Sequence, residues 1–271
     1  MHALLNVAVS AARKGGNSLI YSQRRLDELN IESKGRNDFV SEADRRAETR
    51  IIEEIRKHYP DHAILAEESG ASKGNDVEWI IDPLDGTNNF LHSFPVYCVS
   101  IGVNVGGKLS HGVVYDPVRQ ELFTASRGDG AQLDGRKIRV SGRRYLSDAL
   151  IGTGFSYRSD QEDNVDAYLS LLGSVLKNSA GVRRPGAAAI DLAYVAAGRL
   201  DGFWEFGLKP WDVAAGALLI REAGGIVSGV DGSEKFMDAG HILCGTPKVY
   251  AGLAKLFAGE AKAAITALSG R

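Results

Sequence analysis

The sequence predicts a mixed α+β and α/β protein built of two closely packed halves, residues 1–145 and 146–271. Between residues 96 and 140, short apolar runs alternate with Gly- and Asp-rich turns, a pattern typical of an antiparallel meander. After about residue 146, strand-like and helix-like segments alternate, which is typical of an α/β arrangement. No composition break marks a flexible linker, so we expect the halves to pack as one globular unit.

Helical periodicity marks two segments in the first 60 residues. Apolar residues recur at helical spacing in 4–12. A second helix is expected to begin near Ser41, which resembles a capping box with Asp44, and to end before Pro60. Two short apolar runs then predict strands at 64–66 and 77–81.

The second half is expected to contain four strands and three helices. The predicted strands are 150–154, 203–206, Ile226–Ser228 and 242–244. The predicted helices are centred on 165–176, 187–197 and 213–223.

Composition and charge exclude several classes of protein. A hydrophobic content of 44% and a charged content of 24% exclude disordered and fibrous chains. With a net charge of −2, no global field attracts nucleic acid or an anionic membrane. Five basic residues do cluster in sequence, and we expect them to form a solvated surface: Arg136, Lys137, Arg139, Arg143 and Arg144.

The cysteines and the apolar runs bear on the compartment. Cys98 and Cys244 lie in apolar segments without metal-ligand spacing, so both are expected to be buried free thiols. No stretch approaches the ~18 apolar residues of a membrane span, and residues 1–7 lack the pattern of a signal peptide. We therefore expect a cytoplasmic protein without a membrane partner.

The most informative segment is an apolar strand that runs into Asp-Pro-Leu-Asp-Gly-Thr at 82–87. The carboxylates of Asp82 and Asp85 and the carbonyl of Leu84 could converge on hard cations, because proline and glycine shape a sharp turn there. Oxygen ligands favour Mg²⁺, or Mn²⁺, over Zn²⁺. The N–H groups of Gly86 and Thr87 could hold a phosphate. By itself, the segment is equally compatible with an acidic surface turn.

Two further acids could complete such a site. Glu67 follows the predicted strand 64–66, and a parallel pairing of the two strands would bring it beside Asp82. Asp212 precedes an apolar helix, and its position alone favours a helix-capping acid over a metal ligand.

Together, these segments resemble the inositol monophosphatase family, which belongs to the lithium-sensitive, magnesium-dependent phosphatases. The resemblance runs nearly end to end, and the sequence is similar to the bacterial housekeeping members of the family. It depends on four motifs: Ala-Glu-Glu-Ser-Gly at 66–70, the 82–87 motif, Gly-Thr-Gly-Phe at 152–155 and Trp-Asp-Val-Ala-Ala-Gly at 211–216. It implies a layered αβαβα sandwich and a homodimer.

The resemblance implies two or three Mg²⁺ ions and a set of ligands. Glu67, Asp82 and the Leu84 carbonyl would bind one metal, and Glu67 a weaker third. Asp82, Asp85 and Asp212 would bind a second. The catalytic residues implied around the attacking water are Glu67, Thr87 and Asp44, with Lys34 nearby. The reaction would be in-line attack of a metal-activated water on phosphorus, without a covalent phosphoenzyme.

The resemblance also implies a substrate side of the site. Its expected residues are Asp85, Gly86, Thr87, Gly186, Ala187, Ala188, Glu205 and Asp212. Glu205 would accept hydrogen bonds from ring hydroxyls, although a surface acid at a strand end explains it too. Ala187 stands where many relatives carry Ser or Thr, which predicts a relaxed substrate range around inositol monophosphate.

Two alternatives remain open from the sequence. The protein could hydrolyse another small ester, such as fructose bisphosphate, histidinol phosphate or phosphoadenosine phosphate. It could instead be a dimeric regulatory protein that binds RNA or transcription machinery through its arginines. The intact acids at 67, 82, 85 and 212 favour an active enzyme.

Overall fold

The protein is described here by a computed structural model that covers residues 2–26, 31–35, 38–155, 165–259 and 262–269. Helices and sheets alternate in five layers, as the resemblance implied. Lys34 and Ser41 lie on described strands, but their side chains fall outside the described part, as do those of the other residues in 31–41.

The first layer consists of two helices that pack side by side. They are α1 (Ala3–Gln23) and α2 (Glu42–His58). A hairpin of β1 (Ile31–Gly35) and β2 (Asp38–Ser41) precedes α2. The helices approach closely at Gly15, where a Cβ would lie 2.7 Å from Cδ1 of Ile51. Both bury an apolar face against the first sheet.

The second layer is an eight-stranded sheet with the order β10-β9-β8-β7-β6-β5-β3-β4. Its strands are β3 (Ala63–Ala66), β4 (Gly70–Ser72), β5 (Val77–Asp85), β6 (Cys98–Val105), β7 (Lys108–Asp116), β8 (Glu121–Ser126), β9 (Gly130–Leu133) and β10 (Arg136–Lys137). From β5 to β10 all neighbours are antiparallel, which confirms the predicted meander. β3 pairs with β5 in parallel, the pairing that would bring Glu67 beside Asp82. A short helix, α3 (Thr87–Leu91), follows β5.

The third layer lies between the two sheets and consists of α5 (Ala188–Ala196) and α6 (Pro210–Glu222). An unbroken run from Val213 to Ile220 is buried in α6, as expected for a helix covered on all sides. The helix packs on β6 and β7 of the first sheet and on β14 (Ile226–Ser228) of the second. It therefore joins elements from both halves of the chain.

The fourth layer is a five-stranded mixed sheet with the order β12-β11-β13-β15-β14. Besides β14, its strands are β11 (Leu150–Thr153), β12 (Gly181–Arg183), β13 (Gly202–Phe206) and β15 (His241–Gly245). β11 pairs in parallel with both neighbours, whereas β15 is antiparallel to β13 and β14. The second half thus alternates helices with strands, as predicted, but its sheet is not purely parallel.

The outer layer covers the far face of this sheet. It contains α4 (Val165–Asn178), α8 (Pro247–Ala258) and α9 (Lys262–Ser269), and the short α7 (Phe236–Ala239) precedes β15. The core here surrounds Trp204, with Leu171 of α4 and Phe257 of α8 among its buried members. Within the described ranges, no helix combines the length and apolarity needed to cross a membrane.

Two predictions about single residues are confirmed by burial. Cys98 and Cys244 are buried, unpaired thiols. The five basic residues between 136 and 144 are all exposed, as predicted for a solvated surface.

Candidate metal and phosphate site

The ends of two parallel strands place two acids side by side. Ala66 at the end of β3 lies opposite Ile81 of β5. The N–H of Glu67 donates to the Ile81 carbonyl at 3.1 Å, so Glu67 follows β3 beside the position of Asp82. Asp82 is only 2% exposed. The two carboxylates influence each other, since Glu67 raises the pKa of Asp82.

An irregularity in β5 brings Asp82 and Asp85 to one site. Residues three apart face opposite sides of a regular strand. The register with β6 shifts between Asp82 and Asp85, however, and Oδ1 of Asp82 accepts the N–H of Leu84 at 2.9 Å. Gly86 follows with a φ of 97°, and a Cβ there would lie 2.9 Å from the Val96 carbonyl oxygen. Both conditions require glycine at this turn.

Asp85 connects the two halves of the chain. Its Oδ2 accepts the backbone N–H of Ala189 at 2.6 Å, in the first turn of α5. The thiol of Cys98 on β6 donates to the same oxygen, with the sulfur 3.7 Å away. The positive end of α5 therefore faces this carboxylate.

Asp212 has both of the roles that the sequence left open. Its Oδ2 accepts the N–H of Lys209 at 2.7 Å, which closes the first turn of α6. The same carboxylate raises the pKa values of Asp82, Asp85 and Glu205, so it also lies near the acidic cluster. Ser100 of β6 donates to the Trp211 carbonyl at 3.1 Å and ties the start of α6 to the first sheet.

Thr87 and Asp44 form a hydrogen-bonded pair next to these acids. Oγ1 of Thr87 lies 3.0 Å from Oδ1 of Asp44 and 3.1 Å from the Leu84 carbonyl oxygen, so its single proton is shared between two acceptors. Asp44 is 1% exposed and belongs to the first turn of α2. The sequence-predicted Asp44, Leu84 and Thr87 therefore meet at one point.

Burial and mutual repulsion raise the pKa values of the acids. Burial is the main cause for Asp82, whose pKa lies well above its ordinary value, followed by the charges of Glu67, Asp85 and Asp212. Burial and Asp212 raise the pKa of Asp85 to about 7, against the lowering effect of the N–H groups of α5. A bound cation would reduce the repulsion between carboxylates that lie this close together.

The donor set fits a hard divalent cation by its chemistry. Glu67, Asp82, Asp85 and Asp212 offer carboxylate oxygen atoms, the ligands that Mg²⁺ and Mn²⁺ prefer. Within the described ranges, no three His, Cys, Asp or Glu side chains are positioned to hold a metal ion as they lie. The fit therefore rests on the type of donor atom and on the effect of each carboxylate's charge on its neighbours, and not on coordination distances.

The predicted substrate residues gather on the other side of this cluster. The side-chain amide of Asn89 donates to the carbonyls of Val96, at 2.7 Å, and Pro185, at 2.9 Å, and so ties the 185–188 segment to α3. A Cβ on Gly86 would lie 3.2 Å from Cβ of Ala187. Gly186, Ala187 and Ala188 are thereby brought to the turn at Gly86 and Thr87.

Glu205 lies on β13 under a glycine of the 152–155 motif. A Cβ on Gly154 would lie 2.2 Å from Oε1 of Glu205, so only glycine leaves room for the carboxylate. Burial, followed by the charges of Asp212 and Asp85, raises the pKa of Glu205 to about 8, whereas Arg184 lowers it. Glu205 is half-buried and lies close enough to Asp212 and Asp85 for their charges to act on it, and its role toward ring hydroxyls stays a prediction.

Three residues outside the predicted site contribute to it. Glu48, buried in α2, accepts the N–H groups of Glu68 and Ser69, each at 2.9 Å, and so holds the turn that follows Glu67. Asp191 of α5 is 1% exposed, and its Oδ1 has no hydrogen-bond partner among the described residues. Cys98 is the third. Glu48 and Asp191 could have been found from the sequence, because each is an acid within the apolar face of a helix, α2 and α5 respectively. No feature of the sequence identified Cys98.

The layered fold and the acidic, oxygen-only site are typical of a metal-dependent phosphatase, the class that the family of this chain supports. The chain belongs to the inositol monophosphatase family, whose pattern it matches over residues 1–262. It is 53% identical over 257 residues to the Nus factor SuhB of Pseudomonas aeruginosa. The match covers 93% of this chain and 95% of that protein.

Solved structures agree with this assignment. The extragenic suppressor protein suhB from Bartonella henselae has a TM-score of 0.92 and 43% identity, over 95% of this chain and 99% of that chain. An inositol monophosphatase from Anabaena has a TM-score of 0.84 and 39% identity, over 94% of this chain and 95% of that chain.

Proposed function

We propose that this protein hydrolyses small phosphomonoesters in a Mg²⁺-dependent reaction, with inositol monophosphate as a substrate. The observation that carries the proposal is that Glu67, Asp85 and Asp212 all lie close enough to the buried Asp82 for their charges to raise its pKa. Membership of the inositol monophosphatase family supports the same reaction.

The five proposed metal ligands are the four carboxylates and the Leu84 carbonyl. Bound Mg²⁺ would supply a Lewis acid that neutralises phosphoryl charge and lowers the pKa of water. The remaining residues bind and orient. The N–H groups of Gly86 and Thr87 hold phosphate oxygens at the turn after β5, where preorganised donors stabilise the developing charge.

Thr87 and Asp44 orient the attacking water. Because the Thr87 hydroxyl points its proton toward Oδ1 of Asp44 or the Leu84 carbonyl, its oxygen lone pairs are free to accept a hydrogen bond from water and so to orient it. The buried Asp44 fixes this direction. The pair thus positions a nucleophile in line with a phosphate held by Gly86.

Glu205 and the start of α5 select the alcohol part of the ester. The Glu205 carboxylate accepts hydrogen bonds from ring hydroxyls, and the apolar Ala187 adds no hydroxyl of its own. We expect a relaxed range of sugar and cyclitol phosphates as a result. Release confined to one inositol isomer would contradict this expectation.

The test is phosphate release from inositol monophosphate with and without Mg²⁺, alongside fructose bisphosphate, histidinol phosphate and phosphoadenosine phosphate. Mg²⁺-dependent release that Asp85→Asn reduces by ~10²- to 10³-fold or more supports the proposal, since removing one key electrostatic group costs about 10²- to 10³-fold. An exposed control, Asp76→Asn, should keep full activity. Folded protein without release from any ester would overturn it.

A second candidate is a regulatory role in which the protein binds RNA or transcription machinery. It is favoured by the name Nus factor SuhB, which the relatives from Pseudomonas aeruginosa and Escherichia coli share. Asp85→Asn separates the roles in cells: a normal phenotype without turnover favours the regulatory one. A homodimer and a cytoplasmic location also remain predictions, for sedimentation and fractionation to test.

A further inference from the structure

Two histidines meet where α1 begins against the first sheet. His2 is the residue that immediately precedes α1, and His111 lies on β7. The centroids of their rings are 5.0 Å apart, and the ring planes are tilted by 45°. The two residues are distant in the sequence, so only the fold brings them together.

Each imidazole is held by one oxygen atom. Nε2 of His2 lies 2.8 Å from Oδ2 of Asp129, and Nδ1 of His111 lies 2.8 Å from Oγ of Ser126. Ser126 of β8 is the residue that pairs with His111 in the sheet. Nδ1 of His2 and Nε2 of His111 have no hydrogen-bond partner among the residues that the structure describes. Each ring thus has one nitrogen fixed and the other left for a further ligand.

The turn that carries Asp129 is fixed by the rest of the fold. It has the sequence Gly-Asp-Gly, and both glycines have a positive φ, 85° at Gly128 and 88° at Gly130. Glu222 at the end of α6 accepts the N–H groups of both glycines, each at 2.9 Å. The N–H of Asp129 donates to the Ser126 carbonyl at 2.9 Å. The backbone under the Asp129 carboxylate is therefore in place before any ligand binds.

The distance between the two rings fits one shared metal ion. Zn²⁺ binds histidine nitrogen at ~2.0 Å, which places each ring centroid about 3.2 Å from the metal. At the tetrahedral angle, two such centroids are about 5.2 Å apart, and the observed separation is 5.0 Å. A histidine that binds a metal usually donates its other ring N–H to an oxygen, which orients the ring. Asp129 and Ser126 supply such oxygen atoms to His2 and His111.

The surroundings of the rings have room for a cation and its waters. His2, Ser126 and Asp129 line a cavity of about 360 Å³, and the described residues that line it include no lysine or arginine. Lys137 and Arg139 line a second cavity with Asp129, but within the described ranges the ion-pair partner of Asp129 is His2. Two protein nitrogen atoms are enough for such a site when water occupies the remaining coordination positions.

We propose that His2 and His111 form a binding site for a transition-metal cation of the Zn²⁺ type, with Asp129 and Ser126 orienting the two rings. Imidazole nitrogen suits Zn²⁺, Ni²⁺ and Cu²⁺, whereas the oxygen donors of the candidate phosphatase site suit Mg²⁺. None of these four residues is a predicted metal or substrate residue of that site, so the inference does not depend on the proposed function. A bound cation would connect the start of α1 to β7 and stabilise the folded state.

The test is isothermal titration calorimetry of Zn²⁺ into the full-length, tag-free protein, with excess Mg²⁺ present to occupy the acidic cluster. The expected result is one equivalent of Zn²⁺ that His2→Gln removes. Because His2 is exposed, this substitution should leave the fold intact. His111→Gln, at a buried position, should remove the same equivalent. Asp129→Asn should weaken its binding about tenfold, the lower end of the usual effect of such a partner.

His92→Gln is the matched control, because His92 is an exposed histidine outside this cluster. It should keep the full Zn²⁺ stoichiometry, and circular dichroism should be the same for all variants. At about a hundredfold excess over its Kd, Zn²⁺ should raise Tm by about 5 °C more in the unaltered protein than in His2→Gln. Equal Zn²⁺ binding and equal Tm shifts in His2→Gln and His92→Gln would overturn the proposal, because the cation would then lie at the carboxylates. Absence of Zn²⁺ binding would overturn it as well.

Discussion

Asp85 shows how burial changes the chemistry of a single carboxyl group. Its pKa of about 7 lies above the ordinary value of 3.8, because burial and the charge of Asp212 outweigh the hydrogen bonds from Ala189 and Cys98. A carboxyl group with a raised pKa in the folded protein binds its proton more tightly when folded. The folded state therefore loses stability as pH rises from about 4 to 7, until a cation offsets the charge.

For metal-free protein, we predict that Asp85→Asn raises Tm at pH 8 and leaves it unchanged at pH 4. The expected gain at pH 8 is about 1–3 kcal/mol, or roughly 2–10 °C. Thermal unfolding in the presence of a chelator measures it, and Mg²⁺ should then raise the Tm of the unaltered protein only. The exposed Asp76→Asn is the control. A Tm difference that does not depend on pH would contradict the prediction.

Glu48 acts on the site through the backbone. Its two carboxylate oxygens accept the N–H groups of Glu68 and Ser69. Glu48→Gln replaces one acceptor by an amide N–H₂, which leaves one of these donors unpaired. We expect a stability loss of about 1–3 kcal/mol and a several-fold rise in the Mg²⁺ concentration for half-maximal phosphate release.

A smaller effect on kcat at saturating Mg²⁺ is expected for Glu48→Gln, because the ligands themselves remain. Glu53→Gln, exposed on the same helix, is the control. An unchanged Mg²⁺ dependence together with a lowered Tm would show that Glu48 only stabilises the fold.

At the scale of elements, close packing of helices decides where small residues are required. A Cβ on Gly216 of α6 would lie 2.4 Å from Cβ of Leu192 on α5. The two helices therefore pack closely at this point in the middle layer. Gly173 of α4 has nothing within 4 Å of an added Cβ, although it too lies inside a helix.

These two glycines predict opposite effects of one substitution. Gly216→Ala should lower stability by about 1–3 kcal/mol, since helix α6 must shift. Gly173→Ala should raise stability by about 0.5–1 kcal/mol, because alanine is the better helix former. Denaturant unfolding measures both, and a stabilising effect of Gly216→Ala would show that the two helices can separate without cost.

For the whole molecule, α6 unites the two sheets together with α5. It packs on β6 and β7 on one side and on β14 on the other, and it carries Asp212 to the acids of the first half. The site is thus complete only when both halves are folded. The division into halves at residue 145 remains a prediction about sequence organisation.

We predict that the halves unfold together. Scanning calorimetry should show one transition, with a calorimetric enthalpy equal to the van't Hoff enthalpy. Mg²⁺ should move the entire transition to higher temperature, because it binds only the native site. Two transitions, of which Mg²⁺ shifts one, would instead show two independent folding units.

Local patterns predicted much of this fold because their signals are local. Strand 77–81, the meander and helix α2 follow from apolar periodicity and turn residues, and the acids after β3 and β5 follow from their place at strand ends. Strands β4 and β12, hairpin β1–β2 and helix α8 did not. The short strands depend on neighbours distant in sequence, and α8 was missed despite the N-cap Thr246 and Pro247.

The sequence by itself determined the family, the order of the main strands and helices, and the acids proposed for the site, because repeated spacing and motif identity are properties of the chain. Tertiary structure alone decided that Asp212 both caps α6 and lies near Asp82, that Glu48 holds the Glu67 turn, and that Ala189 meets Asp85. These contacts join segments far apart in sequence, and they depend on how helices and sheets pack, for which no local pattern carries a signal.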